Sequence, residues 1–214
     1  MRALVHRERP AAGDAEGLLV LHHGRGADEH DLFGLGDLLD SQRRLHVVAP
    51  RAPIAIPGAG HHWYLVPRVG QPDPASFAEA VGDLAAFHDE LWERTAIEPA
   101  RTVLAGFSMG SVMSYALGLG EARPVPAGII AFSGFVPEVP GFEPDLAGRS
   151  GLPVLIAHGR NDPVIGVEFG RRARDMLTAG GLSVDYHESG VAHQIDPEHL
   201  SAARDWLAAT VLSR

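Results

Sequence analysis

The sequence contains no cysteine. That excludes disulfides, thiolate zinc sites, cysteine-ligated iron–sulfur clusters and any cysteine nucleophile. It contains no lysine either: all 18 basic side chains are arginine, which we read as coding bias rather than function. Against 27 acidic side chains they leave a formal charge of −9. A nucleic-acid partner is therefore not expected, because phosphate binding needs a basic surface. No apolar run approaches the ~20 residues needed to span a bilayer. The stretch Met1-Arg2-Ala3-Leu4-Val5-His6-Arg7-Glu8-Arg9-Pro10 has neither the apolar centre nor the cleavage site of a signal peptide. The expectation is a soluble, cytoplasmic chain with no stable membrane association. What remains is ordinary globular composition, 45% hydrophobic and 21% charged, at a length that suits one domain over residues 1–214.

Short runs at 17–21, 45–49, 102–105, 128–132 and 153–157 are apolar at successive positions. Strands apolar on both faces suit a parallel sheet covered by helices. Residues 183–186 make a weaker strand, and residues 3–6 would add an antiparallel edge. Between them, Phe77, Val81, Leu84, His88 and Leu91 form one helical stripe, with His88 read as a hydrogen-bonded core residue. Asp196 followed by Pro197 marks the start of a last helix, with Leu200, Ala203, Leu207 and Val211 facing inward. This alternation predicts a doubly wound α/β sheet with its site at the carboxyl ends of the strands.

Gly106-Phe107-Ser108-Met109-Gly110 follows the strand ending at Ala105 and precedes a helical segment, 111–119. This is G-x-S-x-G in a strand–turn–helix setting, which makes Ser108 the candidate nucleophile. A serine on so sharp a turn points its hydroxyl out of the sheet. Side chains two positions before and after would strike neighbouring backbone, hence the glycines.

A serine hydroxyl needs a histidine to take its proton, and that histidine needs an orienting carboxylate. In α/β-hydrolases they follow in the order Ser, Asp/Glu, His. Asp162 lies just past the strand 153–157 and precedes Pro163, so it is the candidate carboxylate; capping of the next helix is its alternative use. Asp145 sits in a preceding loop and Asp185 inside a strand. His193 lies in the loop ahead of the last helix and is the candidate base, whereas His187 falls in a strand and His199 in that helix. The turn His22-His23-Gly24-Arg25-Gly26 should supply one backbone N–H to an oxyanion, that of Arg25, and Met109 the other.

With these residues in place, the chain resembles the phospholipase/carboxylesterase family, the small carboxylesterases related to acyl-protein thioesterases and lysophospholipases. The matching stretches also include Pro50-Arg51-Ala52-Pro53, Ser133-Gly134-Phe135, His158-Gly159-Arg160-Asn161-Asp162-Pro163-Val164 and Gly190-Val191-Ala192-His193. The resemblance implies an α/β-hydrolase fold, the triad Ser108, Asp162 and His193, and the oxyanion donors Arg25 and Met109. It departs from the family at Arg25, where relatives that handle long acyl chains usually carry an apolar residue.

The histidine pairs His22-His23 and His61-His62 do not make a metal motif, since strand neighbours point to opposite faces and no H-E-x-x-H occurs. Neither a metal nor a cofactor is expected. The proline-rich segment 50–74 carries Ile54, Ile56, Trp63, Tyr64, Leu65 and Val66. Trp63 and Tyr64, with Phe135, are candidates for a substrate pocket; covering a helix or forming a homodimer contact are equally open uses of this segment. Only about twenty residues, with Pro137, Pro140 and Pro144 among them, separate the strand near Phe132 from that at Pro153, so the cap should be minimal. The reading is a serine carboxylesterase acting on a small ester of short-to-medium acyl length. A lysophospholipase or acyl thioesterase for longer chains, and a non-catalytic receptor using the same pocket, are the alternatives.

Overall fold

The computed structural model describes residues 3–212; Met1 and Arg2 of the N-terminal stretch, and Ser213 and Arg214, lie outside them. In chain order these residues form β1 (His6–Arg9), β2 (Gly17–His22), α1 (Leu35–Leu39), β3 (Leu45–Pro50), β4 (Ile54–Ala55), β5 (His61–His62), α2 (Pro74–Thr95), β6 (Thr102–Phe107), α3 (Met109–Leu119), β7 (Gly128–Phe132), β8 (Pro153–Gly159), α4 (Val167–Ala179), β9 (Ser183–Ser189) and α5 (Pro197–Thr210). Seven strands make one sheet in the order β1-β3-β2-β6-β7-β8-β9. Only β1 runs antiparallel. β4 and β5 form a separate hairpin. This is the α/β-hydrolase architecture.

The two-sided apolar strands explain the layers. Leu18, Val20, Val48 and Leu104 pack toward α2 and α3. Their neighbours Leu19, Leu21, Val47, Val103 and Ala105 pack on the other face with Leu39 of α1 and Ala203 and Leu207 of α5. Ile129, Ala131, Val154 and Ile156 meet α3 and α4. Alternate residues thus fill opposite cores, as a sheet covered on both faces requires. The chain crosses from one side of β2 to the other between β3 and β6, so the carboxyl ends of β2 and β6 form the switch point where α/β sheets bind ligands.

Some boundaries differ from the sequence reading. The antiparallel edge is His6–Arg9, not residues 3–6. Leu4 is buried in the core ahead of the strand, while the strand itself is polar because it is an edge with one solvated side. α3 begins at Met109, directly after Ser108. Segment 50–74 contains the β4–β5 hairpin, pinned by an Ala27–His61 bridge, and is not structureless. Between β7 and β8 the chain forms loop and a single 3-10 turn at Ala147–Arg149, with no helix over the site. Asp196 caps α5 through the Glu198 amide at 2.8 Å, with Pro197 in the first turn. No helix of the described residues is long and apolar enough to cross a membrane.

A histidine pair is enclosed where β2 meets α2 and α3. His22 and His88 are buried, with Nε2 atoms 3.3 Å apart, and His22 Nδ1 lies 2.8 Å from Ser114 Oγ. Burial holds both rings neutral: it lowers His22 well below its ordinary value and, with Arg123 nearby, His88 to about 3. The unfolded chain takes up protons on these rings below about pH 6.5, and the folded chain does not, so stability falls as pH drops through that value. Urea unfolding at pH 7, 6 and 5 should show this loss, at up to about 1.4 kcal/mol per pH unit for each such ring. His88→Gln should flatten the slope by about one proton. An unchanged slope in that variant would contradict neutral burial of His88.

Candidate active site

The site is built on a backbone collision that glycine avoids. A Cβ on Gly110 would lie 1.9 Å from the His22 carbonyl oxygen, and one on Gly106 would lie 2.4 Å from the Gly110 carbonyl. Without those side chains the first turn of α3 settles against the end of β2, and the chain between β6 and α3 turns sharply. Ser108 occupies that turn at φ 55° and ψ −119°, a conformation costly for a residue with a Cβ. Its amide donates to Phe132 O at 2.8 Å. Ser111 braces the same turn: its hydroxyl lies 2.6 Å from Gly106 O and 2.8 Å from Phe132 O. Gly134, where a Cβ would fall 2.4 Å from Ser111 Cβ, leaves room for that brace.

Ser108, Asp162 and His193 are brought together from three loops. His193 Nε2 lies 2.9 Å from Ser108 Oγ, and His193 Nδ1 lies 2.6 Å from Asp162 Oδ2. A carboxylate only accepts, so Nδ1 carries the ring proton and Nε2 is free to accept from the serine hydroxyl. The imidazole packs on Phe107, ring centroids 4.8 Å apart. Asp162 uses its two oxygens differently. Oδ1 accepts from the amides of Val164 and Ile165, at 2.8 and 2.9 Å, while Oδ2 faces His193. The capping use and the histidine-facing use therefore coexist.

The loop carrying His193 is stitched to the loop carrying Asp162. The Arg160 and Asn161 amides donate to Ser189 O and Val191 O, and Asn161 Nδ2 to Gly190 O at 2.7 Å. Gly159 permits this approach, since a Cβ there would sit 2.2 Å from Ala192 O. His158 is fully buried beneath; its Nε2–H donates to Ile165 O at 2.8 Å and lies 3.6 Å from Asp162 Oδ2. Burial lowers its pKa, an effect that outweighs the opposing pull of the Ile165 carbonyl and the Asp162 carboxylate. Gly159, Ser111 and His158 were not singled out for these roles in the sequence; Gly159 and Ser111 act through Ala192 and Phe132, distant along the chain, and His158 acts across a turn to Ile165 and Asp162 whose shape local pattern does not carry. Asp145 caps Gly148, Asp185 and His187 pair with each other on β9, and His199 is buried in α5, so none joins the site.

The turn after β2 sits against Ser108: a Cβ on Gly24 would be 3.5 Å from Ser108 Cβ. The Arg25 and Met109 amides have no hydrogen-bond acceptor among the described residues. Trp63 corrects the sequence reading. It is fully buried and does not line the cleft. A buried indole needs a partner for its N–H, and this one donates to His23 O at 2.9 Å, underpinning the turn after β2. The rings of His22 and His23 both meet Trp63, because β2 ends at His22 and strand alternation does not extend to His23. His23 accepts from the Ala52 amide at 2.9 Å, a structural use. Tyr64 and Phe135 do line the cleft, about 310 Å³, together with Arg25, Ser108, Met109 and the loop from Val66 to Pro72.

A model of the phospholipase/carboxylesterase family matches residues 9–211. The Bacillus subtilis protein MhqD, which bears a hydrolase name, is 28% identical over 94% of this chain and 96% of its own length. Acyl-protein thioesterase 1 of Yarrowia lipolytica is 26% identical over 94% and 95%. Among solved structures, esterase PE8 is 33% identical, covers 97% of this chain and 99% of its own, and superposes with a TM-score of 0.82.

Gly110→Ala should lower stability by about 3 kcal/mol or more, because backbone of β2 cannot move away without opening the sheet. Gly82→Ala, on an exposed stretch of α2 with open space around it, should instead raise stability by about 0.5–1 kcal/mol. Urea denaturation of both variants checks the contrast; a Gly110→Ala protein as stable as wild type would contradict the contact.

Proposed function

The chain belongs to the phospholipase/carboxylesterase family and is a hydrolase of that kind, and from this premise we propose that it is a serine carboxylesterase acting on esters of short-to-medium acyl length. The observation that carries the reading is the continuous series from Ser108 Oγ through the His193 ring to Asp162, at 2.9 and 2.6 Å. Ser108 attacks the ester carbonyl while His193 Nε2 takes its proton. Asp162 keeps the ring in the tautomer that can accept it and stabilises the imidazolium that results. The tetrahedral oxyanion is held by the Arg25 and Met109 amides, and the amino end of α3 adds its positive pole. His193 returns the proton to the leaving alcohol. Water then repeats the sequence on the acyl-enzyme. These groups complete the reaction without a cofactor.

The cleft supports the reading on acyl length. Its volume is at the low end for small-molecule sites, its mouth is open, and Arg25 would desolvate against a long alkyl chain. The chain between β7 and β8 offers no helix to close as a lid. A long-chain thioesterase would call for a larger apolar cleft, so the volume supports the shorter acyl reading.

Ser108→Ala should lower kcat/KM on p-nitrophenyl butyrate by about a thousandfold or more while far-ultraviolet circular dichroism stays that of wild type. A folded variant retaining more than a few per cent of the rate would remove Ser108 from the mechanism. Across p-nitrophenyl acetate, butyrate, octanoate and palmitate, kcat/KM should peak before palmitate, with no jump on emulsified triolein above its solubility limit. A steady climb to palmitate would favour the long-chain alternative.

A further inference from the structure

The cleft beside Ser108 has a charge pattern opposite to that of the whole chain. The sequence carries 27 acidic side chains and a formal charge of −9. The residues lining the cleft include two arginines, Arg25 and Arg68, and no aspartate or glutamate. Elsewhere, arginines such as Arg9, Arg44, Arg51, Arg94 and Arg123 are neutralised by carboxylates. Among the described residues, Arg25 has no carboxylate partner, and Arg68 donates to the neutral Gln71 Oε1 at 3.0 Å. The charge of Arg25 is felt locally: after the larger effect of burial, it helps push His62 below its ordinary value. Two uncompensated cations at one low-charge cleft raise its potential and favour an anion there.

The remaining wall is apolar. Tyr64 and Phe135 form its base, and Val66, Val69 and Val164 are exposed at the mouth. A ligand matching both halves has an apolar body and an anionic end.

Resting on the esterase reading above, we propose that Arg25 and Arg68 form an anion subsite, and that the substrates of this cleft are esters bearing a carboxylate or phosphate in the same molecule. Guanidinium groups bind either oxyanion through paired N–H donors. Arg25 would act twice, its amide on the carbonyl oxygen and its side chain on the anion. That places the anion within one arginine side chain of the reacting carbon, so the acid or alcohol carrying it is short.

Matched substrates test this. For an anion on the acyl side, p-nitrophenyl hydrogen glutarate is compared with p-nitrophenyl methyl glutarate. For one on the alcohol side, 4-acetoxybenzoate is compared with its methyl ester and 4-acetoxyphenyl phosphate with its uncharged dimethyl ester, which also separates carboxylate from phosphate. Each kcat/KM is divided by the ester's own hydroxide rate. The anionic member of at least one pair should be favoured about tenfold or more at low ionic strength, since charge-assisted hydrogen bonds are the strong ones. The preference should shrink as salt is raised to about 0.5 M. Arg68→Gln should cut the ratio, and Arg68→Lys should keep part of it. A ratio of one or less in every pair, or a preference that survives Arg25→Gln and Arg68→Gln together, would overturn the anion subsite while leaving the esterase intact. Hydrolysis of neither member would overturn the esterase reading and the subsite with it.

Discussion

The carbonyl oxygen of His22 stands where a side chain at position 110 would be, 1.9 Å from its Cβ. That contact locks the end of β2 to the first turn of α3, and the rest of the site is arranged around it. Because α3 starts so close to β2, the chain leaving β6 must reverse within a few residues, and Ser108 takes the strained backbone angles. Because β2 ends there, its next turn places Gly24 beside Ser108 and Arg25 on the wall of the same cleft. The supports are made elsewhere: Trp63 holds the turn from beneath, and Ser111 ties the elbow to the ends of β6 and β7.

A second arrangement sets the histidine. The ends of β8 and β9 run side by side, Gly159 opposite Ser189, and three hydrogen bonds continue that pairing into the loops beyond. Asp162 is fixed by two amides before its second oxygen meets His193. The orientation of the imidazole is therefore a property of sheet register.

The features legible in the sequence are those with local causes. G-x-S-x-G requires its glycines within five residues, and Asp196-Pro197 caps a helix that begins at once. The central strands are short runs apolar at successive positions, so a parallel sheet covered on both faces could be read directly. Features set by distant partners could not. Gly159 resembles any glycine after a strand until the His193 loop is laid against it. Trp63 looked like a pocket residue because large aromatics in long loops often are, but the His23 carbonyl gave its indole N–H a buried partner. The polar edge strand His6–Arg9 was displaced in the reading by the more apolar residues before it, of which Leu4 belongs to the core. Arg25 and Arg68 are far apart in sequence, and their common cleft appears only after folding.

Activation of Ser108 by His193 is measured most directly by reacting the folded protein with a fluorophosphonate and locating the adduct by intact mass and peptide mapping. One adduct per chain is expected, on the peptide containing Ser108, with His193→Ala slowing its formation by about a thousandfold. A wild-type protein that stays unmodified, or is modified at another residue with Ser108 untouched, would contradict the account.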